Sequence, residues 1–153
     1  REFLFPNEVK ALRKAVRKAS RTLGHRDDTL IFMMYRHALR VGEVVNLRWD
    51  KISLSQRKIY VRRQKKGPPS FHFLEADEIA ALELLKKTQL PESVYVFSNQ
   101  NGEQLSTRTV HWIVARAGNL AGVPFSIHPH MLRHAKGYQL ANRGTDTRAI
   151  QLY

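Results

Sequence analysis

The 153-residue sequence predicts a mainly α-helical domain with one small antiparallel β-sheet, an α+β fold. Two observations lead to this prediction. Through most of the chain, apolar residues recur three or four positions apart, the spacing of a helix face packed on a core. Between residues 49 and 74, short runs of β-branched and aromatic residues surround a turn-rich loop, which is typical of strands. A chain of this length can bury a core, and we expect one domain over residues 1–153.

The first forty residues predict two helices. Asn7 is a suitable N-cap for the first helix, which should end near Gly24. Its expected apolar stripe consists of Val9, Leu12, Val16 and Ala19. The second helix should cover residues 26–38, and its dense apolar content predicts a central, buried position. The residues expected inside are Leu30, Ile31, Met33, Met34 and Tyr35.

The middle of the chain predicts the sheet. A break at residues 41–42 leads into a short helix over residues 43–47. Strands are expected around Ile52, at residues 59–61 and at residues 71–73, with a basic loop over residues 64–70. A helix over residues 75–87 should follow, with Ile79, Leu82 and Leu85 facing inward.

The last third of the chain predicts an extended segment and further helices. Residues 94–97 should form a short strand or an extended segment, and residues 99–103 a turn. Ser106 is a suitable N-cap for a helix through residue 119. Its expected buried stripe is Val110, Ile113, Val114, Ala117 and Leu120. Another helix should open near Pro129 and run to residue 141 or 142, and a final amphipathic helix is expected over residues 147–153.

The charge balance predicts a polyanionic partner. Lys and Arg number 26 against 13 Asp and Glu, which gives a net charge of +13. Such an excess attracts nucleic acid through phosphate neutralisation and counterion release. The basic face of the first helix is either a solvated surface or a DNA-contacting one. The candidate DNA-binding residues are Lys10, Arg13, Lys14, Arg17, Lys66, Arg108 and Arg116.

Composition also excludes several classes of protein. The chain has no cysteine, which rules out disulfides, thiolate catalysis and cysteine-bound zinc. We expect no membrane partner, because no long apolar span or lipid-anchoring motif is present. Residues 1–10 lack the apolar core of a signal peptide, so we expect a cytoplasmic, nucleoid-associated protein.

The segment HPHMLRH at residues 128–134 carries the strongest chemical pattern. His130 and Arg133 are three positions apart in a predicted helix, so their side chains lie on one face. An imidazole beside a guanidinium suits a phosphate, because the guanidinium offers a fixed positive fork and the imidazole can donate or accept a proton. This pair predicts a phosphate-directed site.

Two segments, in order, resemble the arginine motifs of the tyrosine recombinases, or phage integrase family. Residues 38–47 (ALRVGEVVNL), followed by WDKI at 49–52, resemble the first motif, and residues 130–134 (HMLRH) resemble the second, His-x-x-Arg-His. The basic hairpin lies between them, where the family has its catalytic lysine. The resemblance covers essentially the whole chain, and residues 127–151 look most similar to bacterial members that invert fimbrial promoter switches. It implies the family's catalytic-domain fold and site-specific DNA cleavage and rejoining through a 3′-phosphotyrosyl intermediate.

The resemblance implies a role for each matched residue. Arg40 and Arg133 would stabilise charge on the nonbridging phosphate oxygens, which transesterification at a phosphodiester requires. Glu43 would hold the Arg40 guanidinium by a partly buried ion pair. His130 would donate and accept a proton at the scissile phosphate. His134 is expected to make a buried hydrogen bond.

The general acid for the leaving 5′-hydroxyl is implied to be a hairpin lysine. Lys65 is favoured by counting back from the strand at residues 71–74, which resembles the end of the family hairpin. Lys66 is the alternative, because a loop with Gly67 and two prolines can present either side chain.

The family's nucleophilic tyrosine lies beyond a Leu-Gly-His segment, which would begin just after Tyr153. We therefore expect the chain to stop before the nucleophile, Tyr153 to be a core residue, and an N-terminal DNA-clamping domain to precede Arg1. The fragment alone should be inactive. The implied partners are double-stranded DNA and, on paired DNA sites, a tetramer of protomers that are monomers when free. No metal or other cofactor is expected.

Two other interpretations remain open. His128, His130 and His134 are potential metal ligands, although no carboxylate accompanies them in a HExxH-like arrangement and Arg133 would lie beside a dication. Alternatively, the basic residues grip the DNA backbone and perform no catalysis.

Overall fold

The computed structural model describes residues 1–62 and 70–142, with side chains described up to residue 135. In these ranges the elements, in chain order, are α1 (Pro6–Ala19), α2 (Gly24–His37), α3 (Val41–Val45), β1 (Ile52–Ser53), β2 (Lys58–Val61), β3 (Ser70–Phe73), α4 (Ala76–Thr88), α5 (Thr107–Leu120) and α6 (Pro129–Asn142). The prediction of a mainly helical fold with a small antiparallel sheet is confirmed. The helix predicted over residues 147–153 lies outside the described residues.

Helix α2 lies at the centre of the domain. It packs against α1, α4 and α6. Its interior side chains are buried as predicted, and Tyr35 is partly buried against the same core; the fully enclosed residues are Leu30, Ile31, Met33 and Met34. Helix α1 buries Val9, Leu12 and Val16, but Ala19 in its last turn is exposed, so the predicted stripe is one residue too long.

The start of α1 differs from the prediction. The N-cap is Phe5 rather than Asn7, and the Glu8 carboxylate accepts the Phe5 backbone N–H at 2.8 Å. Pro6 occupies the first helical position. A backbone N–H there has no intrahelical acceptor, so a proline costs the helix no hydrogen bond. A glutamate in the first turn therefore accepts a backbone N–H at the start of the helix, the role that was predicted for Asn7.

The strands form one antiparallel sheet in the order β1–β2–β3. Ile59 faces His72, and Val61 faces Ser70, on the side turned toward the core. Tyr60 pairs with Phe71 on the opposite face. That outer face carries exposed aromatic rings, with the Lys58 ammonium 5.2 Å from the Phe71 ring centroid.

The C-terminal half follows the prediction with small shifts. Leu82 and Leu85 of α4 are buried, and Ile79 is partly buried. Residues 94–97 form neither a strand nor a regular extended segment: Tyr95 makes an isolated bridge to Arg48, and Val94, Val96 and Phe97 lie in bends. Helix α5 begins as predicted, since Ser106 Oγ accepts the Thr109 N–H at 3.1 Å. The predicted stripe of α5 is buried except for Leu120, which is 46% exposed. No helix in the described ranges has the length and apolar content that crossing a membrane requires.

The end of α2 sets the path of the chain toward α3. Ala38 has φ 52° and ψ 44°, the left-handed conformation, and its N–H donates to the Met34 carbonyl. This conformation costs a non-glycine residue about 1–2 kcal/mol, so the packing around it must hold it in place. The turn brings Arg40 to the N-cap of α3, which begins at Val41, two residues earlier than predicted.

The junction between α1 and α2 depends on a close backbone approach at Gly24. A Cβ atom at this position would lie 2.6 Å from the Arg17 carbonyl oxygen and 2.9 Å from that of Val16. Because both atoms belong to the helix backbone, they cannot move aside as a flexible side chain could.

We therefore expect Gly24→Ala to destabilise the domain by about 1–3 kcal/mol, the usual cost of overpacking. The measurement is the free energy of unfolding from urea denaturation. Arg21→Ala, at an exposed position of the same connection, is the control and should change that free energy by less than about 0.5 kcal/mol. Equal effects of the two substitutions would contradict the close-approach argument.

Candidate active site

Arg40 is fixed at the start of α3 by Glu43. Its backbone N–H donates to Glu43 Oε1 at 2.8 Å, and its Nη1 lies 3.4 Å from Glu43 Oε2. The Glu43 side chain is fully buried, whereas that of Arg40 is 29% exposed. The ion pair expected between these residues is therefore present, and it leaves part of the guanidinium open to a ligand.

Arg133 joins the second motif to the first. It projects from α6, and its Nη1 donates a hydrogen bond to the Ala38 carbonyl oxygen, across 95 residues of sequence. The side chain is partly buried. Since Ala38 lies two residues before Arg40, this bond brings the two predicted arginines to one region of the surface.

His130 lies on α6 one helical turn before Arg133 and is exposed. Its ring centroid is 4.1 Å from that of His134. Burial, and then the charges of its neighbours, lower the pKa of His130 below the ordinary 6.5; the neighbours are His134, Arg133, His128 and Arg40. Because His130 and Arg133 are three positions apart on α6, the imidazole lies on the helix face from which Arg133 binds the Ala38 carbonyl.

His134 makes a hydrogen bond, but not a buried one. Its Nδ1 lies 3.1 Å from the Glu2 carbonyl oxygen, and the side chain is exposed. The expectation of a buried bond is wrong, because the partner belongs to the surface segment that precedes α1. His128 lies beside the same segment, with Nε2 3.5 Å from a Glu2 carboxylate oxygen.

The described residues contain no group of three His, Cys, Asp or Glu side chains that could hold a metal ion. We therefore base no metal proposal on His128, His130 and His134.

An open groove of about 830 Å³ lies next to Arg40. Glu43 lines one end, and Tyr60 and Val61 of β2 line another part of its wall. Three basic side chains that the sequence interpretation did not single out also line it: Arg48, Lys51 and Arg62. Their chain positions follow the first motif and lead into the hairpin. Only this proximity to the motifs could have identified these residues from the sequence, because their spacing follows no helical period.

The basic face of α1 is partly neutralised from within the protein. Arg13 Nε lies 2.7 Å from one carboxylate oxygen of Asp28, and Arg17 binds the other. Asp28 is 3% exposed, and the Arg13 guanidinium carbon lies 3.7 Å from the Phe32 ring centroid. These two arginines therefore hold α1 against α2, and Lys10 and Lys14 are the exposed cations of this face that we keep as candidate DNA contacts.

The remaining predicted residues are placed as follows. Arg108 is exposed in the first turn of α5. Arg116 is partly buried and lies 5.4 Å from the Trp112 ring centroid. Lys65, Lys66 and Tyr153 lie outside the described residues, so their roles stay predictions.

The electrostatics of His130 can be tested by titration. In the free protein, we expect its imidazole to titrate with a pKa below 6.5, because partial burial and then the nearby positive charges oppose protonation. A bound phosphodiester should raise this pKa, since a negative charge favours the imidazolium. Because the folded chain binds this proton more weakly than the unfolded chain, acidification below pH 6.5 should also favour unfolding.

NMR titration of the His130 ring carbon, assigned by comparison with His130→Gln, measures both pKa values. A pKa at or above 6.5 in the free protein, or no upward shift with a short DNA duplex, would contradict this description of the site.

Comparison with known protein families and curated proteins gives a consistent result. The sequence profile of the phage integrase family matches residues 2–153. Type 1 fimbriae regulatory protein FimE of Escherichia coli strain K12 is 37% identical over 158 residues, covering 100% of this chain and 79% of that protein. Tyrosine recombinase XerC of Bacillus pumilus strain SAFR-032 is 32% identical over 157 residues, covering 97% of this chain and 51% of that protein.

Solved structures share the fold. XerA recombinase superposes with a TM-score of 0.83 at 24% identity, covering 98% of this chain and 54% of that one. XerH site-specific recombinase bound to difH substrate has a TM-score of 0.80 at 21% identity, and the match covers 99% of this chain and 46% of that one. A lambda integrase tetramer bound to a Holliday junction has a TM-score of 0.74 at 20% identity, and the match covers 98% of this chain and 45% of that one. The chain thus spans about half the length of these recombinases.

Proposed function

Since the chain belongs to the phage integrase family of tyrosine recombinases, we propose that it is the catalytic domain of a site-specific DNA recombinase. In this proposal the protein cleaves and rejoins DNA strands by transesterification, through a 3′-phosphotyrosyl intermediate. The supporting observation is the hydrogen bond from Arg133 to the Ala38 carbonyl, which brings the second motif to the start of the first.

Two guanidinium groups that share one region suit a pentavalent phosphate. In the transition state, negative charge develops on the nonbridging oxygens, and preorganised cations stabilise it without a cost of reorganisation. The ion pair of Arg40 with Glu43 and the hydrogen bond of Arg133 to the backbone supply that preorganisation. The Arg40 side chain is 29% exposed, so part of its guanidinium is open to the phosphate.

His130 supplies the proton-transfer group in this proposal. The lowered pKa favours the neutral imidazole in the free protein, and a neutral ring can accept the proton of an attacking hydroxyl. Lys65, or the adjacent Lys66, would protonate the leaving 5′-oxygen. No metal ion or other cofactor is required by this chemistry, in which a hydroxyl attacks a phosphodiester and a hydroxyl leaves.

The nucleophile is proposed to be a tyrosine that follows residue 153. Among the tyrosines with described side chains, Tyr35 packs against the core and Tyr95 is partly buried. Tyr60 is 53% exposed, with its ring centroid 5.7 Å from that of Phe71, and it also lines the groove beside Arg40. Tyr153 is proposed as a core residue rather than the nucleophile.

The proposed partner is double-stranded DNA, and the proposed active assembly is a tetramer on two paired sites. The net charge of +13 supports DNA binding, and lambda integrase, which shares the fold, forms a tetramer on a Holliday junction. We also propose that an N-terminal DNA-clamping domain precedes residue 1. The free protein is proposed to be a monomer that associates with the nucleoid.

The catalytic proposal can be tested in the protein that includes both neighbouring segments. Arg133→Ala should slow formation of the covalent protein–DNA adduct on a suicide substrate by roughly 10²–10³-fold, because transition-state charge loses one of its stabilising groups. Affinity for the DNA should fall by less than about tenfold, since most phosphate contacts remain. Adduct formation is measured by gel shift under denaturing conditions.

Arg21→Ala removes an exposed arginine from the connection between α1 and α2 and serves as the matched control, with adduct formation expected near the wild-type rate. Wild-type adduct formation that depends on a divalent ion would contradict the proposed chemistry. An adduct lost in Tyr153→Phe would contradict the proposed position of the nucleophile.

The groove beside Arg40 leads to a separate prediction about DNA binding. Lys51→Ala and Arg62→Ala should each reduce the slope of log Kd against log salt concentration by about 1, because each side chain would release about one counterion from a phosphate. The measurement is fluorescence anisotropy with a labelled duplex at several salt concentrations. Lys87→Ala, at an exposed position of α4 that does not line the groove, should leave the slope unchanged. An equal change in all three variants would contradict a specific role for the groove.

A further inference from the structure

The outer face of the sheet carries a set of adjoining aromatic side chains. On β2 this face consists of Lys58 and Tyr60, and on β3 of Phe71 and Phe73. Lys58 pairs with Phe73, and Tyr60 pairs with Phe71, so the four side chains occupy adjacent positions on two strands. The exposed fractions of the three aromatic side chains are 53% for Tyr60, 48% for Phe71 and 69% for Phe73. The proposed chemistry gives these rings no role.

These rings contact one another and form one patch. The Phe71 ring centroid lies 5.7 Å from that of Tyr60 and 5.9 Å from that of Phe73. The Lys58 ammonium lies 5.2 Å from the Phe71 centroid and 5.9 Å from the Phe73 centroid, within the range of a cation–π contact. Single exposed apolar side chains are common on protein surfaces, whereas a contiguous apolar patch marks a binding site. Cross-strand contacts also fix the rings relative to one another, so the patch is preorganised.

Basic side chains adjoin this patch. Lys58 lies within it, and Arg57 is exposed in the turn that precedes β2. Tyr60 also lines the open groove described above, whose wall includes the basic side chains of Lys51 and Arg62. The patch and the groove are therefore continuous through Tyr60. A negatively charged occupant with flat apolar parts is complementary to this combination of cations and rings.

Nucleic acid has this chemistry, but only where its bases are unpaired. In a duplex, neighbouring base pairs cover the faces of the bases, whereas an unpaired base can stack on an aromatic ring. Proteins that bind single strands combine a positively charged groove for the backbone with aromatic side chains for the bases. In one common RNA-binding domain those aromatic side chains stand on the face of a β-sheet. The outer face of β2 and β3, beside the basic groove, has the same two components.

We propose that the outer face of β2 and β3 stacks unpaired bases of the DNA strand that cleavage frees. This inference rests on the proposed function, because a strand that is to be rejoined to a second duplex must first separate from its own complement. The separated bases lose the stacking that the duplex provided. The rings of Phe71 and Phe73 replace part of that stacking, while Lys51 and Arg62 in the groove bind phosphates of the same strand.

The test uses the full-length protein and two fluorescently labelled DNA ligands of equal length. One ligand is a fully paired duplex, and the other contains a short internal stretch of mismatched, unpaired bases. Fluorescence anisotropy gives Kd for each ligand at the same salt concentration. Both ligands carry the same number of phosphates, so the ratio of the two Kd values isolates the contribution of the unpaired bases from the general attraction of charge.

For Phe73→Ala, we expect Kd for the mismatched ligand to rise by about fivefold or more, the effect of losing one stacked base, while Kd for the duplex stays within about twofold of wild type. Phe73→Trp should retain binding of the mismatched ligand, because an indole also stacks on a base. Phe73→Leu should lose as much as Phe73→Ala, because leucine is apolar but has no ring. These two variants also keep the test valid if the Ala variant does not fold. Leu90→Ala, at a position that is 83% exposed and outside the patch, is the control and should bind both ligands as the wild type does.

Several outcomes would overturn the stacking role and leave the proposed function intact. These are an equal loss on both ligands, no loss on either ligand, and full binding of the mismatched ligand by Phe73→Leu. A dimer of the free protein that Phe73→Ala dissociates, measured by sedimentation, would assign the patch to a second copy of the chain instead. The proposed function has a separate readout, which is adduct formation by the wild type on a suicide substrate. Ring-dependent binding of the mismatched ligand without any adduct would overturn the proposed function, and with it the identity of the strand that the patch binds.

Discussion

The hydrogen bond from Arg133 to the Ala38 carbonyl is the contact on which the site depends. It fastens α6 to the end of α2, a helix whose residues Leu30, Ile31, Met33 and Met34 are fully enclosed. The acceptor is presented by a residue in the left-handed conformation, and the same turn delivers Arg40 to the N-cap of α3. A charge-assisted bond to a backbone carbonyl therefore places one arginine and, through the turn, restrains the other. Glu43 completes the arrangement from a fully buried position.

Much of the fold could be predicted, because burial along α1, α2 and α5 follows the helical period. The errors lie at element ends, where a single side chain decides the boundary. Glu8 reaches back to Phe5 and moves the start of α1, and Leu120 falls on the solvent side of the last turn of α5. The helical period predicts neither the start of α1 nor the exposure of Leu120, since a cap or an end turn depends on local geometry rather than on the repeat.

The site was predictable only where a motif marks it. Two short sequence patterns identify Arg40, Glu43, His130 and Arg133, whereas no pattern predicts the contacts around these residues. His37 meets His72 and Glu78 across 35 and 41 residues of sequence, and Arg13 meets Asp28 across 15. Such pairs arise from helix packing, so a linear pattern cannot distinguish a basic residue that faces solvent from one that binds a buried carboxylate.

The pairing of Asp28 with Arg13 and Arg17 has a consequence for how the domain approaches a polyanion. A carboxylate beneath two guanidinium groups offsets part of their field, which weakens the attraction of that side of α1 at distances beyond contact. In the groove, the Glu43 carboxylate is shared with Arg40, and Arg48 Nε lies 3.4 Å from an Asp50 carboxylate oxygen. Both basic surfaces therefore attract a polyanion through fewer net charges than their basic residues suggest, and salt should weaken the remaining attraction over about a Debye length.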